Sequence, residues 1–196
     1  MIFEILLIIF TCTLFYVIIL KNRKYNPIII SIDGNIGSGK STLVKLIKNN
    51  AFEKLLKNVL IVVIDEPVKI WMNTVDNDGK NLLQHFYEDK KRWSYSFQNY
   101  AYITRIRMLL DEINKYKSYD KPVVIITERS QLTDRNVFAK MLYDGGFINE
   151  LEKSMYDYWY HTFDNIINID NIIYLNTPPD TCINRIKKRG RVEEKD

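Results

Sequence analysis

Cysteine is nearly absent from this chain: only Cys12 and Cys182 occur among its 196 residues. They lie far apart and in different surroundings, so a disulfide framework is not expected and a reducing compartment fits. A basic tract interleaved with aromatics is also missing, and the net charge is only +4. That balance argues against a nucleic-acid partner and suits a phosphate-rich ligand or an ordinary solvated surface. Repeats and low-complexity linkers are absent too. With 46% hydrophobic and 27% charged residues, a single α/β domain with its own core is expected.

The front of the chain lacks Lys and Arg before Lys21, has no A-x-A cleavage site and is not Arg-rich. A cleaved signal peptide and a mitochondrial transit peptide are both disfavoured on those grounds. What stands there is an apolar run, IFEILLIIFTCTLFYVIIL, at residues 2–20. A bilayer needs about 20 apolar residues, and the cations of KNRK follow at once. Residues 1–20 therefore read as a transmembrane or hydrophobic anchor and 21–27 as a basic flank, with 28–196 on the cytosolic side. The alternative is an apolar extension packed on the domain, or one created by a misassigned start codon, which leaves the protein soluble and cytoplasmic.

Short β-branched runs predict four strands, at 28–33, 59–65, 122–127 and 171–176. Helical patterns fall at 41–48, 94–117, 131–143 and 150–166, and Pro178-Pro179 opens a last helix. Asp76, Asp78 and Gly79 mark a turn. Uniformly apolar strands alternating with helices predict a parallel sheet covered on both faces.

The stretch from Gly34 through Asn35, Ile36, Gly37, Ser38, Gly39 and Lys40 to Ser41 and Thr42 fits G-x-x-x-x-G-K-[ST]. Its glycines let backbone N–H groups approach phosphate oxygens. Lys40 is placed for the β and γ phosphates, Ser41 for Mg²⁺, and the following helix adds its positive end. A nucleoside triphosphate site follows, although ATPases, GTPases and kinases all use one.

Further polar residues fall at the carboxyl ends of predicted strands, where parallel sheets form their ligand crevice. Asp65 and Glu66 end the second strand, and Glu128 and Arg129 the third. A carboxylate there can take a proton from an attacking hydroxyl, Glu128 can reach Mg²⁺ through water, and Arg129 can clamp an oxyanion. Each read singly is equally a cap or a surface ion-pair partner. On the long helix, Gln98 and Arg105 share a face two turns apart, with small Ala101 between. A glutamine amide suits the edge of a base, but spacing alone equally describes a half-solvated helix.

From about residue 28 to 196 the chain resembles the cellular deoxyribonucleoside kinases of the deoxycytidine and deoxyguanosine kinase type. The resemblance is carried by IDGNIGSGKST, DEPVKIW, NLLQHFYEDKKRWSYSFQNYAYITRIRMLL, ERSQLTDRNVFA and IIYLNTPPDTCINRIKKRGRVEE. It implies a P-loop kinase fold with an Arg-rich lid, a homodimer, and transfer of a phosphoryl group from ATP or another nucleoside triphosphate, with Mg²⁺, to a deoxynucleoside. By resemblance, Glu66 is the general base, Arg129 meets the 5′-oxygen and Glu128 serves Mg²⁺ together with Ser41. Gln98 reads the base, Trp71, Phe97 and Phe138 surround it, and Tyr87 with Glu194 holds the sugar 3′-hydroxyl. Arg185, Arg189 and Arg191 form the lid. Arg105 and Asp134 match a charged pair of the deoxycytidine and deoxyguanosine branch, implying deoxycytidine first and purine deoxynucleosides next.

The family's sheet has five parallel strands, whereas four are predicted here, so a fifth strand and the loop that grips adenine are expected after residue 196. Two other readings remain at this point. One is a membrane-attached pseudokinase that binds nucleosides without turnover. The other is a different small-molecule P-loop kinase, which fits the phosphate loop but not DEPVKIW with FQNYAYITRIR.

Overall fold

The computed structural model describes residues 26–49 and 58–190. The proposed anchor and basic flank, and the positions Arg191 and Glu194, lie outside those residues apart from the last two of the flank. Among the described residues, no helix is long and apolar enough to cross a membrane.

Among the described residues, four strands, β1 (Ile28–Gly34), β2 (Leu60–Ile64), β3 (Val123–Glu128) and β4 (Asn171–Leu175), form one parallel sheet in the order β2-β3-β1-β4. The register sets Ile30 beside Ile126 and Asn171, and Val63 beside Ile126. Every residue of the central strands β1 and β3 is buried. Side chains alternate between faces along a strand, which explains the two cores. Ile28, Ile30, Ile32, Val124 and Ile126 pack on Val44 and Ile47 of α1 (Lys40–Lys48). Ile29, Val123 and Ile125 pack on the other face against Tyr102, Ile106 and Leu109 of α4 (Lys90–Tyr116) and Tyr156 and Tyr160 of α6 (Glu150–Asp164). β4 lies at the sheet edge, where Ile172 and Tyr174 are exposed.

The helical map departs from the sequence reading in three places. Two short helices, α2 (Val68–Asn73) and α3 (Leu82–Glu88), flank the predicted turn. α4 starts at Lys90 rather than Ser94, because the Asp89 carboxylate accepts the Arg92 backbone N–H at 3.0 Å and caps the helix there. The predicted helix after β3 is a continuous run, α5 (131–144), whose middle, Asp134–Ala139, is π-helical. The last helix, α7 (Pro179–Arg189), begins at Pro179 as expected and ends at Gly190 in the left-handed region. Cys182 on α7 is a free, buried thiol.

Candidate active site

The carboxyl ends of the strands open on a cavity of about 870 Å³. Its donor side is the loop between β1 and α1. Gly39 takes φ 106°, a conformation that disfavours any side chain. At Gly37 a Cβ would stand 2.6 Å from the Cys182 carbonyl oxygen of α7, so glycine is required for close approach as well. The Lys40 ammonium donates to the carbonyls of Gly34 at 3.0 Å and Asn35 at 2.7 Å. Burial, and then the charge of Arg129, lower its pKa from 10.5 to about 8. The Ser41 hydroxyl donates to Glu128 Oε1 at 2.7 Å, so the two residues expected to serve one cation touch. Burial raises the Glu128 pKa, against the pull of the Ser41 hydrogen bond.

Ile36, Gly37, Gly39 and Thr42 line the cavity beside Lys40 and Ser41, but Gly34, Asn35 and Ser38 do not. Gly34 contributes its carbonyl to the loop's own framework, the Asn35 side chain accepts the Ile36 N–H at 2.8 Å, and Ser38 is buried within the loop. Arg185 and Arg189, expected to form a lid, both line the cavity. Arg185 also donates to the Gly37 and Ser38 carbonyls at 3.3 and 3.1 Å, joining α7 to the loop.

On the acceptor side, Glu66 follows β2 and turns inward, whereas its neighbour Asp65 turns outward to Lys48 at 2.5 Å. Glu66 Oε1 lies 3.2 Å from Arg129 Nε and 3.4 Å from Arg105 Nη2. Arg129 is the one non-glycine residue with positive φ, 69°, among those described. Its guanidinium lies over the Phe138 ring at 4.6 Å. Arg105 is buried, with Nε donating to Asp134 Oδ2 at 2.7 Å and Nη1 to the Glu128 carbonyl at 2.7 Å. Burial opposes its charge, but Asp134 and Glu66 outweigh that and raise its pKa. The expected Arg105–Asp134 pair is thus present as a buried salt bridge.

Gln98 is buried at the cavity wall and donates to the Asp134 carbonyl at 3.2 Å. Trp71 and Phe97 meet edge to face at 5.3 Å, and Trp71 Nε1 donates to Thr104 Oγ1 at 3.0 Å. Phe138 and Tyr87 also line the chamber. The sequence reading missed Leu83 and Phe86 of α3, the latter stacked on Phe97 at 4.5 Å, and Leu142 of α5. A readable signal existed for α3: Asn81 and Gln84 form a reciprocal capping box that opens the helix carrying Leu83 and Phe86.

A phosphate loop between the first strand and helix of a parallel sheet, with a carboxylate–arginine cluster across the cleft, defines a P-loop phosphate-transfer fold. The deoxynucleoside kinase family model matches residues 30–196. Deoxycytidine kinase 2 of Gallus gallus is 41% identical over 182 residues, covering 84% of this chain and 66% of the relative. Deoxycytidine kinase of Homo sapiens is 40% identical, covering 84% and 67%. The mitochondrial deoxyguanosine kinase of Xenopus laevis is 34% identical over 190 residues, covering 89% and 69%. This chain belongs to the deoxynucleoside kinase family. It spans about two thirds of the length of these relatives.

Proposed function

We propose that the domain at 28–196 is a deoxynucleoside 5′-kinase of nucleotide salvage, taking deoxycytidine first and purine deoxynucleosides next. The observation that carries this is the placement of Glu66, 3.2 Å from Arg129, across one cavity from Lys40 and the Ser41–Glu128 pair. A 5′-hydroxyl delivered to Glu66 gives its proton to that carboxylate as its oxygen attacks the γ-phosphorus of ATP in line, and the bond from that phosphorus to the β,γ-bridging oxygen breaks to release ADP. Arg129 steadies the charge on that oxygen, and Lys40, Arg185 and Arg189 receive the charge spread over the phosphate oxygens. Glu194 at the sugar 3′-hydroxyl and Arg191 at the phosphates complete this proposal from the resemblance. Ser41 and Glu128 fit a hard cation with oxygen ligands. Mg²⁺ bound by Ser41 and Glu128 would supply neutralisation of the phosphate charge.

The deoxycytidine preference is supported by the relatives' names and by the buried Arg105–Asp134 pair beside Gln98. The test is kcat/KM for the four deoxynucleosides with ATP, alongside calorimetric titration with deoxycytidine. Highest kcat/KM for deoxycytidine supports the reading. A clear preference for thymidine refutes the specificity, and binding without turnover refutes the activity.

Lys40 gives the donor site a pH dependence. Below about pH 8 its ammonium is present to meet phosphate; above that, binding must take up a proton. Affinity for a non-hydrolysable ATP analogue should therefore fall above this value, by up to about tenfold per pH unit. Lys40→Gln should bind weakly throughout and show a flat profile. The same shift makes the folded state gain stability from about pH 8 up to 10.5, where the unfolded chain still holds the proton.

Homodimerisation and membrane attachment belong to this proposal. The first is supported by an exposed apolar stripe on α6, Leu151, Met155, Tyr158 and Trp159. The second is supported by the sequence of residues 2–20. Monomers by light scattering, or release of the full chain by carbonate, would count against each in turn.

A further inference from the structure

We propose that Asp33 is a positioning residue that holds Arg129 against Glu66, acting through Ser130 and Thr133. This rests on the kinase reading above. Asp33 is the last residue of β1 before Gly34, is only 5% exposed, and does not line the cavity. Its carboxylate accepts three hydroxyl hydrogen bonds. Ser31 donates to Oδ1 at 2.8 Å, while Ser130 and Thr133 donate to Oδ2 at 3.1 and 2.6 Å. Ser130 caps α5, its Oγ accepting the Thr133 N–H at 3.3 Å. One buried carboxylate thus ties the strand that feeds the phosphate loop to the start of the helix that carries Asp134 and Phe138.

Arg129 sits between these tied points. Its positive φ of 69° disfavours any residue with a side chain, so its neighbours must hold it. On one side its N–H donates to the Ile32 carbonyl at 3.0 Å, and its carbonyl accepts the Thr127 hydroxyl at 3.1 Å. On the other side Ser130 is held by Asp33. The result aims the guanidinium at Glu66 and over Phe138, with Nη1 donating to the Gly34 carbonyl at 3.4 Å. Without the Asp33 carboxylate, the Ser130 and Thr133 hydroxyls lose a shared anionic acceptor and the turn can relax toward negative φ.

The experiment compares Asp33→Asn with Ser130→Ala/Thr133→Val, which removes the two Asp33 Oδ2 bonds from the far end, together with the Ser130 cap. Each should lower kcat by about tenfold or more, since small displacements at a reacting centre cost rate steeply, with deoxynucleoside KM changed less than about threefold. Combining them should give little further loss, because both sever one link. Asp33→Glu should recover part of the rate. In an Arg129→Ala background, Asp33→Asn should have almost no effect on kcat. A crystal structure of Asp33→Asn should show the Arg129 guanidinium displaced from Glu66. An unmoved Arg129, or a full kcat penalty in the Arg129→Ala background, overturns the proposal. Absence of turnover in the unmodified protein overturns the kinase reading alone, since the Asp33→Asn structure still decides where Arg129 stands.

Discussion

Glu66→Gln is expected to lower kcat by about 10²- to 10⁴-fold while deoxynucleoside affinity stays within a few-fold. The substitution keeps the shape of the side chain and one oxygen acceptor but removes its capacity to take a proton. In the folded chain Glu66 is only 24% exposed, and Arg129 and Arg105 approach the same oxygen at 3.2 and 3.4 Å. Those contacts orient the carboxylate toward the cavity; the neighbouring Asp65 is bound outward to Lys48 and cannot substitute for it. Steady-state rates with ATP, set beside calorimetric affinities for deoxycytidine, separate chemistry from binding. Near-normal kcat in the variant would remove Glu66 from the role of base.

The second large effect concerns the Arg105–Asp134 pair. Asp134→Ala leaves a guanidinium, 3% exposed, without the carboxylate that meets its Nε at 2.7 Å. Breaking a buried pair from one side costs about 3–5 kcal/mol, so the urea midpoint should fall markedly. Replacing both partners with apolar residues, Arg105→Met with Asp134→Ala, removes the stranded charge and should recover much of that loss. The double variant also lacks the charges beside Gln98, so its kcat/KM for thymidine should rise relative to deoxycytidine. A single variant as stable as the parent would show that Glu66 and the Glu128 carbonyl suffice to hold Arg105. An unchanged nucleoside ranking in the double variant would place selection elsewhere in the chamber.

What the sequence made legible follows from how local each signal is. The phosphate loop is read from consecutive residues, and its context of strand and helix is equally local, so Gly37, Lys40 and Ser41 were found directly. Strands β1 and β3 were visible because both faces are buried and the runs are unbroken. The start of α4 was obscured because its first turn, Lys90-Lys91-Arg92, is charged, and its buried stripe includes the polar Ser94, Gln98 and Arg105. Helices α2 and α3 are each seven residues or fewer, too short for a period to emerge, although the Asn81–Gln84 box announced the second. The Asp33 network could not be read at all: its partners Ser130 and Thr133 are 97 and 100 positions away. Only the parallel pairing of β1 with β3 brings them together.

Strand β1 has one more consequence. Ile29, Ser31 and Asp33 occupy the same face in succession, passing from oil to hydroxyl to charge within five residues. Ile29 belongs to the apolar cluster and Asp33 to the wiring of the cleft. Damage at the two ends of this face should therefore have separable outcomes. A change at Ile29 would register as a lower melting temperature in an enzyme that still works. A change at Asp33 would register as a folded protein that turns over slowly. The strand is a scale along which tolerance to mutation passes from a question of persistence to one of rate.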